Sequence, residues 1–135
     1  AEEAFKSALK LAPDQFTPRL NYGIALVEGK DYKAGEEQLQ LALQRDGSSA
    51  IAHLYLGRSM VQLFDYDAGE KELQKAADTG GPDTVESHRY LAAIYIEKHQ
   101  PTRAADELEK YLSMSPKVKD ADRIKAMISK LRGNR

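Results

Sequence analysis

The chain contains no cysteine, which excludes disulfides, thiolate nucleophiles and cysteine-ligated zinc and leaves the redox compartment open. It also lacks an excess of charge of either sign: 20 basic residues stand against 21 acidic ones, for a formal net charge of −1. A nucleic-acid-binding face needs surplus Lys and Arg to displace counterions, so neither DNA nor RNA is an expected partner. Long hydrophobic runs are missing too. The longest, such as Gly23 to Val27 and Leu91 to Ile96, fall far short of the roughly 20 apolar residues that span a bilayer. No signal-peptide pattern follows the opening Ala1-Glu2-Glu3, and nothing else assigns a compartment.

Motifs for chemistry are equally scarce. There are three histidines, His53, His88 and His99, none in a His-Glu-x-x-His spacing or beside a carboxylate cluster, so no metal site is expected. Gly80-Gly81 is not followed by Gly-Lys-Ser/Thr, so no phosphate-binding loop and no cofactor are expected. A Ser–His–carboxylate triad stays open on sequence alone, although no elbow motif surrounds any serine. The acidic pairs Glu36-Glu37, Glu70/Glu72 and Asp106-Glu107 read as a solvated helix face, helped by i,i+4 partners such as Glu2–Lys6 and Asp106–Lys110. No residue is expected to be catalytic, cofactor-binding or metal-ligating.

What the sequence does have is an echo. Asp31 to Ala42 reads Asp-Tyr-x-Ala-Gly-Glu-x-x-Leu-Gln-x-Ala, and Asp65 to Ala76, 34 residues later, reads the same way, with eight of twelve positions identical. A fixed period of this length marks a solenoid, in which each unit buries its apolar face on the next. The register divides the chain into a half-unit at 1–13, units at 16–49, 50–84 and 85–118, and a capping helix at 119–135. Each unit is a helix–turn–helix. In the first, Thr17-Pro18 should open the leading helix, Gly29 end it and Asp31 cap the second. The third unit is offset by 35 residues, the extra one falling in the turn around Gly80 to Thr84. Ala121, Ile124, Ile128 and Leu131 should form the apolar stripe of the cap, with Asp122, Lys125, Ser129 and Arg132 opposite. The chain opens in mid-repeat, so it is expected to be a fragment or to have lost a leader, with one helix absent before residue 1.

Tyr22-Gly23, Leu56-Gly57 and Leu91-Ala92 on first helices, with Tyr32, Tyr66, Leu39, Leu73, Leu108, Ala42, Ala76, Pro13 and Pro116 on second helices and their ends, resemble the tetratricopeptide repeat family over essentially all of residues 1–118. Arg19, His53 and His88 stand where that family favours tryptophan, and Pro101 and Tyr111 replace the tyrosine and alanine of the third unit. The resemblance implies an all-α fold, a right-handed α-solenoid of antiparallel helix pairs. It also implies a concave groove, lined by first helices, that binds a peptide or helical segment of another protein.

Carried over by position, the groove face comprises Asn21, Ile24, Leu54, Tyr55, Arg58, Arg89, Tyr90 and Ala93, with Glu28, Gln62 and Glu97 farther along. Two tyrosines and two arginines suit a recognition surface. If Arg58 and Arg89 come together, they would receive an acidic residue of the partner, with apolar side chains near Tyr55 and Tyr90. Family members that clamp a chaperone's C-terminal carboxylate use Lys, Asn and Arg at positions that here hold Leu20, Ile24, Tyr55, Glu86 and Tyr90, so that specificity does not fit. Two rival roles remain. One is self-association into a homo-oligomer through an open N-terminal edge at Phe5, Ala8 and Leu9; the other is service as the accessory region of a larger enzyme.

Overall fold

The computed structural model describes residues 3–4, 6–7, 16–79 and 81–133. Within them the order is α1 (Phe16–Glu28), α2 (Tyr32–Arg45), α3 (Ala50–Gln62), α4 (Tyr66–Thr79), a 3-10 turn (Pro82–Thr84), α5 (Glu86–Glu97), α6 (Pro101–Met114) and α7 (Ala121–Leu131), with no strand among the described residues. Glu3, Ala4, Lys6 and Ser7 are helical and exposed; Phe5, Ala8 and Leu9, the expected association edge, and Glu2 lie outside the described residues.

Pairing follows chain order. α1 packs on α2, α3 on α4 and α5 on α6, and each pair leans on the next. First helices touch one another, α1 on α3 and α3 on α5, whereas successive second helices make marginal contact at most. Tight packing of one layer and splaying of the other bend the stack, so the first helices line the inner face of an α-solenoid.

The seam inside each pair depends on close approach. A Cβ built on Gly23 would lie 2.7 Å from Leu39 Cγ, and one on Gly57 would lie 2.5 Å from Leu73 Cγ. Both leucines are fully buried, each contributing about 1.5–3 kcal/mol of burial. In the third pair the equivalents are Ala92 and Leu108, also buried.

Helix ends differ from expectation in one consistent way. Gly29 lies in the first turn, but the residue that adopts the left-handed conformation is Lys30 (φ 68°), as do Phe64 (φ 63°) and His99 (φ 59°) at 34- and 35-residue intervals. Each allows a six-residue closing bond: Asp31 N to Leu26 O, Asp65 N to Met60 O and Gln100 N to Tyr95 O, all 2.8 Å. This is the Schellman arrangement, which usually places glycine at the left-handed position. Asp31 precedes α2 without a side-chain capping bond, while Ser49 does cap α3, its Oγ accepting from Ala52 N at 3.1 Å. The described part of α1 starts at Phe16, and Thr17-Pro18 is helical within it.

α7 packs on α6 through buried Ile124, with Ala121, Ile128 and Leu131 half-buried. Arg132 is not on a free polar side: its guanidinium reaches Asp106 and Glu109 of α6, each at 2.8 Å.

Candidate partner-binding groove

Arg58 lies on α3, the middle one of the three first helices. Its guanidinium carbon lies 4.7 Å from the ring centroid of Tyr55 and 5.4 Å from that of Tyr90. Tyr55 precedes Arg58 by three residues on α3, the spacing that stacks side chains on one helix face; Tyr90 comes from α5. A planar, weakly hydrated guanidinium is attracted to such ring faces. Among the described residues Arg58 has no carboxylate partner, and its N–H donors are not taken up by an internal acid.

Arg89 is arranged differently. It faces Glu86 at 4.0 Å and Asp120 at 3.6 Å and lies 5.3 Å from the Tyr111 ring centroid. Partial burial works to lower its pKa, but the Tyr111 bond and the two carboxylates prevail and raise it above the usual value. Tyr111 in turn donates to Glu86 Oε1 at 3.2 Å. The expectation that Arg58 and Arg89 converge on one acidic residue is therefore corrected. They turn to different partners, and Arg89 is already neutralised from within the chain.

The other expected groove residues sort by burial. Asn21 and Ala93 are exposed, and Ile24, Tyr55 and Tyr90 are half-buried. Leu54 is 4% exposed and belongs to the core with Leu73 and Leu91, so it presents no side chain to a partner. This too corrects the positional reading. Sequence reasoning also missed Ile96, Arg123 and Met127, which with Ala93 line a cavity of about 220 Å³ between α5 and α7. No sequence signal marks them, because the cavity depends on where α7 docks.

The histidines are structural, with a partner that was not foreseen. His53 Nδ1 lies 2.6 Å from Glu72 Oε2, and its Nε2 lies 2.9 Å from the Gly47 carbonyl. His88 Nδ1 lies 2.8 Å from Glu107 Oε2, and Glu107 is only 5% exposed. Glu72 and Glu107 are thus not part of a solvated face. The first pair uses the same geometry, Arg19 Nη1 donating to Gln38 at 3.1 Å. All three contacts span 19 residues, and that recurring spacing is the sequence signal that could have found them.

Between pairs, Glu70 accepts from Tyr95 at 3.1 Å and Lys98 at 2.9 Å. Burial, and then Glu70, push the Tyr95 phenol up to about 12. No group of three or more His, Cys, Asp or Glu able to hold a metal occurs among the described residues, and none of their helices is long and apolar enough to cross a membrane.

A family model described as tetratricopeptide repeat matches residues 1–51 and 50–119. No curated protein matches the chain in sequence. Among solved structures, MamA is similar with a TM-score of 0.84 at 22% identity, over 98% of this chain and 77% of its own. YrrB, described as a TPR protein with an unusual peptide-binding site, gives a TM-score of 0.81 at 21% identity, over 98% and 68%. A thermophilic TPR protein of Thermus thermophilus gives 0.76 at 23% identity, over 95% and 71%. At these identities the likeness is one of fold.

Proposed function

The chain belongs to the tetratricopeptide repeat family, and on that premise we propose that it is a non-catalytic scaffold whose inner face binds a peptide or helical segment of another protein. Arg58 is the anchor, receiving a carboxylate of the partner while Tyr55 and Tyr90 flank it with ring surface. The observation that carries this reading is a guanidinium held between two rings with no carboxylate partner among the described residues. A stacked arginine is preorganised, so little side-chain entropy is lost when it binds. Tyrosine and arginine are also the residue types that dominate binding hot spots. YrrB, of the same fold, is described as having a peptide-binding site. Arg89 supports the groove differently, holding α5 to Asp120 beside α7.

Selection of a displayed random-peptide library on the immobilised chain tests the proposal. Peptides rich in Asp or Glu should be enriched on the wild type, and that enrichment should vanish on Arg58→Glu. Enrichment of the same peptides on both proteins would remove Arg58 from the site, and no enrichment on either would count against the groove as a peptide reader.

A further inference from the structure

The inner face changes character at its C-terminal end. α1 touches α3 and α3 touches α5, but α5 and α7 make marginal contact at most, because α7 packs mainly on α6. The gap they leave is the cavity of about 220 Å³. Ile96 shows what the gap exposes. It stands at the repeat position of Val27, which is buried, yet it is 40% exposed, and Met127 across the cavity is 41% exposed. The cavity is smaller than the roughly 300 Å³ at which small-molecule pockets begin, and it suits a single side chain rather than a separate ligand. On its rim Arg89 is occupied by Glu86 and Asp120. Arg123, also lining it, has no carboxylate partner among the described residues.

We propose that Arg58 and this cavity form a two-point reader for an extended acidic segment of a partner protein, taking a carboxylate at Arg58 and one bulky apolar side chain between α5 and α7. The inference rests on the groove reading above and deepens it. Charge selects the occupant: among the described residues Arg58 and Arg123 have no carboxylate partner, and Asp120, which also lines the cavity, is paired with Arg89, so a segment carrying carboxylates beside its apolar residue is favoured over a basic one. Geometry sets the spacing. Arg58 already touches Tyr90 of α5, so the segment must cross one helix to reach the cavity. A helix with its side chains is about 10–12 Å across. An extended chain covers that in about three to four residues, whereas a helical one would need about seven.

The same displayed library, selected on the whole chain, decides the matter. The expected peptides carry Asp or Glu with Leu, Ile, Met or Phe three to four positions away. Met127→Glu should abolish the apolar preference while keeping the acidic one, and should weaken a selected peptide about tenfold or more. Ala93→Leu, which fills the cavity from α5, should do the same, and a helical circular-dichroism spectrum with a wild-type melting profile checks that each variant is folded. Acidic peptides without an apolar residue at fixed spacing, or with a spacing of about seven, would overturn this inference and leave the groove reading standing. Peptides indifferent to Arg58→Glu would overturn both.

Discussion

Leu39, Leu73 and Leu108 occupy one repeat position, on second helices, and all three are buried. Leu54 and Arg89 occupy another, on first helices, yet Leu54 is in the core and Arg89 is exposed and ion-paired. Arg58 and Ala93 share a third, one stacked between tyrosines and the other lining a cavity. These seam positions repeat in burial as well as in identity; on the inner face Tyr55 and Tyr90 repeat, but the positions beside them do not. A seam position must fit the same partner helix in every unit, so its side chain is constrained each time. A face position meets solvent or ligand and is free to differ.

Substitutions should therefore separate into those that cost stability and those that change recognition. The largest effect belongs to the seam: Leu73→Ala should destabilise by about 2–5 kcal/mol in urea unfolding, with no change in the peptide class bound by the folded fraction. Next comes the 19-residue pair. Glu107→Ala strands the buried His88 ring and should cost about 1–3 kcal/mol. The double variant Glu107→Leu with His88→Leu should cost less than the two single changes together; additive costs would mean the pair is not coupled.

At the turns the sign reverses. Phe64 is 78% exposed and holds a left-handed backbone, so Phe64→Gly should stabilise by about 1 kcal/mol by removing the Cβ strain. A loss instead would show that its edge contact with Tyr66, centroids 6.4 Å apart, outweighs that strain. The smallest effect concerns pH at the joint between the second and third pairs. The Tyr95 phenol is raised from 10.0 to about 12 by burial and by Glu70. The folded state thus keeps a proton that the unfolded chain releases. The associated stability is complete below about pH 10 and is lost as pH rises towards 12. Burial also raises the Tyr111 phenol, so an absorbance titration should show late-titrating tyrosines, of which the Tyr95 component alone moves earlier in Glu70→Gln.

Much of the seam was legible beforehand because it is periodic. The echo at Asp31 and Asp65, with Gly23 and Gly57, is enough to pair the helices and place Leu39 and Leu73 inside. What escaped depends on relations between helices that no single-helix pattern carries. Glu72 and Glu107 look solvated on their own helix, and their buried partners lie 19 residues back. Leu54 and Arg89 look equivalent until packing buries one of them. The left-handed residues Lys30, Phe64 and His99 escaped because glycine beside the first of them suggested the usual solution. The cavity at Ile96 and Met127 follows from the docking of α7, which has no second helix after it within the described residues.

The central claim is that Arg58 is available to a partner and Arg89 is not. Fluorescence polarisation of one acidic peptide selected on the wild type, titrated against Arg58→Ala and Arg89→Ala, tests it directly. Loss of about tenfold or more in affinity for Arg58→Ala, with a clearly smaller loss for Arg89→Ala, is the predicted result. Equal losses for the two variants, or a larger loss for Arg89→Ala, would contradict it.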